Sequence, residues 1–377
     1  MKALVTGGAG LIGSHIVDLA QAEGWEVRIL DRLEPYTHRQ GKPSWVPKDA
    51  EFIQGDVRDR AAWEQALDGV DIVFHEAAYG GYMPEIAKFI EVNSLGTALM
   101  LETIRERDLP IQKIVVASSQ AVYNEGAYHG PTAGHFYGTT RPIAQLAAGD
   151  YAMHDPVSGE VATPVPTDED APMGGENTYA ISKADQEKLT LSFGRATGIP
   201  AVALRYSCTY GPRQSIFNPY TGVIAIFCTR LMNDRPPLVY EDGHQSRDLI
   251  FVEDIARANM LVATDDRANG RVFNVGTGNA AEIGDLARLL ADRLGKDIEP
   301  LIPGEYRPGE MRALISDIGR IAELGFAPQI ELSDGIDRYL DWIRTQGDIA
   351  DYFAEAERAL RQKQIVKRSS NATERES

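Results

Sequence analysis

Tyr179 and Lys183 bracket the segment Tyr179-Ala180-Ile181-Ser182-Lys183. On a helix, this i,i+4 spacing sets a phenol and an ammonium on one face. A phenolate beside a fixed positive charge can take the hydroxyl proton of a sugar alcohol while the carbon gives up its hydride. An unperturbed phenol titrates near ~10, so the neighbouring cation has to lower that value. General-base help of this kind is typically worth roughly 10²–10⁴-fold in rate. Ser119 ends the run Lys113-Ile114-Val115-Val116-Ala117-Ser118-Ser119, where its hydroxyl can hydrogen-bond the reacting oxygen. Ser119, Tyr179 and Lys183 are the catalytic candidates.

A hydride needs an acceptor, and the N-terminus offers a seat for one. Lys2-Ala3-Leu4-Val5 reads as a buried strand, and Ile12, Ile16, Val17, Leu19 and Ala20 then recur at helical spacing. Between them lies Thr6-Gly7-Gly8-Ala9-Gly10-Leu11-Ile12-Gly13, a dinucleotide-binding turn in its proper strand–turn–helix context. Gly7 permits the tight turn, Gly10 lets backbone approach a pyrophosphate, and Gly13 lets the helix pack on the strand. Leu11 and Ile12 open that helix, whose free N–H groups favour phosphate charge. Val27-Arg28-Ile29-Leu30 leads to Asp31, a carboxylate that accepts ribose hydroxyls and repels a 2′-phosphate. Arg32 adjoins it and softens that repulsion, so the cofactor expected is NAD in preference to NADP.

The elements that position these groups alternate. Glu51–Val57 is a third strand, whose Asp56 can hydrogen-bond the adenine amino group beside Val57. Ile72–His75 is a fourth, running into Glu76-Ala77-Ala78, where small residues leave room for the cofactor. Functional residues gather at the carboxyl ends of successive strands, as in doubly wound parallel α/β sheets. The expected architecture is a Rossmann domain over 1–200, carrying a long insertion at about 124–176. A smaller C-terminal α/β substrate-binding lobe follows over 201–350, with 248–270 returning to the first domain. The insertion is too long for an inert loop and reads as a lid over the sugar or an oligomer contact. Residues 357–377 read as a frayed helix and flexible tail.

Composition narrows the class. The chain has 377 residues, 43% of them hydrophobic, and a net charge of −17, which argues against nucleic acid and anionic membranes as partners. Its two cysteines, Cys208 and Cys228, form no disulfide framework or metal spacing and suit a reducing, cytoplasmic location. The seven histidines show no ligand-like pairing, so no metal site is expected.

In this order the motifs resemble the extended short-chain dehydrogenase/reductase family, specifically its nucleotide-sugar epimerases. The resemblance also rests on Val92-Asn93-Ser94-Leu95-Gly96-Thr97 and Ser118-Ser119-Gln120-Ala121-Val122-Tyr123. Leu204-Arg205-Tyr206, Asp242-Gly243-His244-Gln245-Ser246-Arg247-Asp248, Asn274-Val275-Gly276 and Arg307-Pro308-Gly309-Glu310 extend it to about residue 345. The insertion and Asn218-Pro219-Tyr220-Thr221-Gly222 look most like the dTDP-L-rhamnose 4-epimerase-like branch, beside UDP-sugar 4-epimerases.

The resemblance implies that Asn93 and Tyr206 serve the cofactor and that Arg205 supports the sheet. Gln120 lines the sugar site, Arg247 and Arg307 hold the substrate diphosphate, and Glu310 takes a ribose hydroxyl. Cys208 stands where relatives usually carry a substrate-contacting Asn, and a thiol is a poor donor. Related dehydratases and decarboxylases carry an acid just after the catalytic Ser or Thr. Gln120 and Ala121 follow Ser119 here, which favours simple epimerisation, with the hydride returned to the opposite face at C4. A nucleotide-sugar dehydrogenase, an epimerase acting at another carbon through Cys208, and a non-catalytic NAD-binding protein remain alternatives. A homodimer is expected, through Ile90, Leu95, Leu99 and Ile104 on one helix and Ala180, Ala184 and Leu191 on another.

Overall fold

The computed structural model describes all residues except 36, 82–84, 219–221, 348, 352, 354–356, 359–364, 371 and 373–377. Pro219, Tyr220 and Thr221 of the run noted above therefore lie outside the described residues. Seven parallel strands form the central sheet. They are β1 (Lys2–Thr6), β2 (Glu26–Asp31), β3 (Glu51–Gln54), β4 (Ile72–His75), β5 (Lys113–Ser119), β6 (Ala201–Tyr206) and β7 (Val272–Val275). Their spatial order is β7-β6-β5-β4-β1-β2-β3. The winding reverses between β1 and β4, which opens a crevice beyond their carboxyl ends. Register sets Thr6 beside His75 and Ser119 beside Tyr206 at that edge. Val, Ile, Leu and Ala fill β1, β4, β5 and β6, as strands covered on both faces require.

Helices α1 (Leu11–Ala22), α2 (Thr178–Thr197) and α3 (Val252–Thr264) bear on the site. Ile16, Val17 and Ala20 of α1 pack with Ile255, Ala258 and Val262 of α3 on one face of the sheet. On the other face Trp63, Met100, Leu101 and Ile104 pack against Leu4, Val73 and Ile114. The Asn177 side chain caps α2 by accepting from the Ala180 N–H, and Gly198 ends it at φ 81°, the left-handed stop that glycine adopts without strain.

The domain boundary differs from the sequence expectation. Both β6 and β7 pair within the central sheet, so the Rossmann unit takes in 201–206 and runs to 275 instead of releasing the chain at 200 and 270. Periodicity cannot reveal that Val272 pairs with Ala203. The lobe packs helices Val223–Met232, Ile283–Arg293 and Leu332–Arg344 around Phe227, Leu231, Leu290, Tyr339 and Ile343.

Ala127–Gly130 pairs with Gly134–Tyr137 and with Thr163–Val165 in an antiparallel sheet. Among the residues 124–176, all of them described, Glu176 alone lines the main cavity. Arg141, 3% exposed, instead holds Glu241 of the lobe through two bonds of 3.0 and 2.9 Å and lies 3.4 Å from Glu125. Breaking such a buried cluster leaves an uncompensated charge, so the insertion is fastened to the lobe.

Within the segment expected to be a tail, residues 365–370 are described. Lys367–Arg368 pairs antiparallel with Glu305–Tyr306, and the Ser370 N–H donates to the Ala147 carbonyl at 2.8 Å. A two-residue charged strand carries no pattern of its own; its partner defines it.

Candidate active site

One cavity of about 1050 Å³ runs from the glycine turn, past the ends of β4, β5 and β6, into the lobe. Its cofactor end is built by backbone. Gly7 sits at φ +67°, and a Cβ there would lie 3.0 Å from the Ala77 nitrogen. A Cβ on Gly13 would lie 2.4 Å from the Gly7 carbonyl oxygen. Gly10 caps α1 with no side-chain bond, so the first-turn N–H groups of Leu11, Ile12 and Gly13 stay available to an anion. Asp31 faces the cavity with each oxygen already accepting one backbone N–H, Ala9 at 3.0 Å and Leu33 at 2.8 Å. A carboxylate has lone pairs to spare for ribose hydroxyls. Arg32, Val57, Ala77 and Ala78 line the same wall.

Ser119, Gln120, Tyr179, Tyr206 and Cys208 converge at the middle of the cavity. Burial raises the Tyr179 phenol above its ordinary value, and the Ser119 hydrogen bond only partly opposes that. The Lys183 Nζ donates to the Gln186 Oε1 at 2.8 Å. Lys183 is 2% exposed and lies behind the cavity wall. Burial lowers its pKa, while Glu76 and Glu187 pull the other way. Cys208 accepts from the Gln120 Nε2 at 3.3 Å, and burial pushes its thiol up to about 11. A protonated thiol so far from neutrality is poorly matched to acid–base work.

At the lobe end Glu310 bridges two guanidinium groups, with Arg247 at 2.6 Å and Arg307 at 3.6 Å. Arg307 also lies over the Tyr240 ring at 4.4 Å. Both arginines line the cavity, and their planar forks suit phosphate oxygens. Glu310 is thus placed to orient the arginines as well as to meet a hydroxyl. Arg205 stays off the wall, binding Glu187 through 3.0 and 2.6 Å contacts and the Tyr123 hydroxyl at 2.7 Å, as a sheet support should.

Two further candidates fall outside the wall. The Asp56 carboxylate is taken by Arg58 at 2.8 Å and Arg32 at 3.0 Å, because cations flank it in sequence and space. Asn93 is fully buried; it accepts from the Tyr79 N–H at 2.7 Å and donates to the Ser182 Oγ at 2.9 Å. It ties α2 to the segment that follows β4.

The fit to a polar ligand can be read from unsatisfied atoms. Glu76 Oε2, Gln120 Oε1, Ser207 Oγ and Gln214 Oε1 are buried without a partner among the described residues, and all four residues line the cavity. Buried polar atoms of this kind ordinarily find a partner.

A family model described as the NAD dependent epimerase/dehydratase family matches residues 3–276. The chain belongs to that family. The dTDP-L-rhamnose 4-epimerase of Burkholderia thailandensis is 32% identical over 92% of this chain and 96% of its own length. The UDP-glucose 4-epimerase of Mycolicibacterium smegmatis is 28% identical over 92% and 99%. Among solved structures, the UDP-glucose 4-epimerase of Thermotoga maritima with UDP-glucose superposes at TM-score 0.75 with 28% identity, covering 92% of this chain and all of that one. The Thermus thermophilus UDP-glucose 4-epimerase complex with NAD gives 0.72 and 30%, with the same coverage.

At the carboxyl ends of β1 and β4 lies a buried polar network that the residue pattern did not reveal. The Thr6 hydroxyl contacts His75 Nδ1 at 2.8 Å and accepts from the Ala77 N–H at 3.0 Å. His75 Nε2 contacts the Thr97 hydroxyl at 3.0 Å, and Gln186 donates to that hydroxyl at 3.0 Å. This chain of bonds ends on Lys183. Burial and the Lys183 charge lower His75 to about 3, so it remains neutral. Glu76 was also missed, since a charged residue after a strand reads as a loop residue. Its side chain instead accepts from the Tyr206 hydroxyl at 3.0 Å, inside the cavity.

Proposed function

We propose that the protein inverts C4 of a hexose or deoxyhexose carried on a nucleoside diphosphate. The observation that carries this reading is one continuous cavity, with the glycine turn and Asp31 at one end and Arg247 with Arg307 at the other. Ser119 and Tyr179 stand between them. NAD, when bound, supplies the hydride acceptor and a positive charge beside the phenol. Ser119 orients the sugar hydroxyl, and Tyr179 receives its proton as the carbon is oxidised. Arg247 and Arg307 keep the diphosphate in place while the keto-sugar turns over, and Tyr179 then returns the proton. Lys183, held by Gln186, fixes a charge behind the site. Gln120 and Ala121 cannot transfer a proton, which favours epimerisation over elimination. The likeness to dTDP- and UDP-sugar 4-epimerases supports the substrate class.

The active unit in this reading is a homodimer free in the cytoplasm. Leu99, Ile104, Ala180, Ala184 and Leu191 turn out to be wholly or partly buried within the subunit, but Ile86, Ile90, Leu95, Ile181 and Leu189 are exposed on the adjoining helices. These exposed apolar side chains suit a two-fold helical interface. No helix among the described residues is long and apolar enough to cross a membrane.

Incubation with dTDP-, UDP-, GDP- and CDP-linked sugars, read by NMR, tests the reading. C4 epimers of one or more should accumulate without net consumption of NAD. Products oxidised in proportion to NADH released would replace it with a dehydrogenase.

A further inference from the structure

Glu76 is a carboxyl on the cavity wall, bonded to Tyr206, that the reaction as described does not use. It follows β4 directly, among Ala77, Ala78, Ser119, Tyr179 and Tyr206 on the cavity wall. The Tyr206 hydroxyl lies 3.0 Å from Glu76 Oε1, and Asn259 Nδ2 of α3 donates to that hydroxyl at 2.8 Å. The same hydroxyl lies 3.0 Å from the Asn259 Oδ1, so Glu76 and the Asn259 amide share its single proton. Oε1 has that donor within reach, while Oε2 is buried and has no partner among the described residues. A buried carboxylate oxygen facing a ligand cavity without a donor is costly unless the ligand compensates it.

The charges around it are few. Lys183 of α2 is coupled to Glu76 electrostatically, Tyr206 approaches from β6, and His75 next to it in sequence is neutral. Ser119 and Tyr179 fix where the hydride must be exchanged, so the nicotinamide ring has to come within reach of the same wall. The oxidised ring is cationic and the reduced ring is neutral. An anion beside it therefore distinguishes the two, and the Lys183 ammonium has the opposite preference.

We propose that Glu76 is an electrostatic ligand of the bound nicotinamide, holding the couple on its oxidised, cationic side against the opposing charge of Lys183. The inference rests on the cofactor seat proposed above. Burial alone raises the Glu76 carboxyl; a cationic ring beside it favours the ionised form, and by reciprocity the ionised form favours the cationic ring. At an effective dielectric of ~20, opposite unit charges on one cavity wall interact strongly enough to move a redox ratio about tenfold or more. For an enzyme that must give back every hydride it takes, a carboxylate here sets the resting state as the one that can start a cycle.

The test uses holoprotein equilibrated against mediator dyes of known potential, with bound oxidised and reduced nicotinamide read by absorbance. At a fixed potential, Glu76→Gln should raise the reduced-to-oxidised ratio about tenfold, equal to about 30 mV for a two-electron couple. Glu76→Leu should move it the same way, because only the charge matters. If either variant loses its dinucleotide, affinities of the emptied protein for NAD+ and NADH replace the titration, and the loss should fall on NAD+. A ratio within twofold of the parent, with dinucleotide retained, overturns the proposal. A parent protein that binds neither form overturns the cofactor seat itself.

Discussion

Gly13→Ala should cost the protein its cofactor, and the contact geometry says why. The added Cβ would lie 2.4 Å from the Gly7 carbonyl oxygen, 2.8 Å from its carbon and 2.9 Å from the Gly8 Cα. Carbon contacts are comfortable at about 3.5–4.0 Å, so α1 has to retreat by roughly 1 Å from the turn. All three obstacles are backbone, and no rotamer relieves them. Overpacking of this sort typically costs about 1–3 kcal/mol. The retreat also moves the N–H groups of Leu11, Ile12 and Gly13 away from the pyrophosphate. Losing one charged hydrogen bond of about 1.5–3 kcal/mol weakens NAD by roughly 10–100-fold. Gly24→Ala is the control: unlike Gly13 it has positive φ, at +76°, and nothing lies within 4 Å of its new Cβ. It should lose stability of about 1 kcal/mol or more from backbone strain and keep its dinucleotide. The assay is nicotinamide released on denaturing purified protein, together with Tm. Equal dinucleotide content in the two variants would refute the reasoning.

Tyr179→Phe should lower kcat by on the order of 10² or more while Tm and dinucleotide content hold, since it removes only the proton acceptor. Arg247→Met should raise KM by roughly 10–100-fold with a smaller change in kcat, because a diphosphate far from C4 is gripped alike throughout the cycle. Initial rates across substrate concentration check both. Leu95→Glu with Ile181→Glu should turn a dimer into a monomer at micromolar concentration in sedimentation; a parent protein already monomeric there would contradict the proposed interface.

Much of the fold was legible because its signals are local. The strands of the first half match apolar runs read directly from the chain, and the glycine turn announces both the first helix and its ligand. Asn177 and Gly198 bound α2 by their own chemistry. What was hidden depends on distant partners. β7 joins the sheet only by lying beside β6, and Lys367–Arg368 become a strand only against Glu305–Tyr306. The same holds within the site. Ser119 and Tyr179 line the cavity, but whether Lys183 and Asp56 reach it depended on Gln186, Arg32 and Arg58, which sequence spacing did not rank. Glu76 stayed invisible because its significance comes from Tyr206, Asn259 and Lys183, all more than a hundred residues away.

The central claim is that hydrogen leaves and returns to one sugar carbon through the cofactor. Turnover in D2O, followed by NMR of the C4-inverted product, tests it most directly. Hydride return carries the substrate's own hydrogen, so C4 should stay free of deuterium, and Cys208→Ser should leave turnover within a few-fold of the parent. Deuterium at the inverted carbon, with severe loss in Cys208→Ser, would contradict the account and move the chemistry to deprotonation beside a ketone.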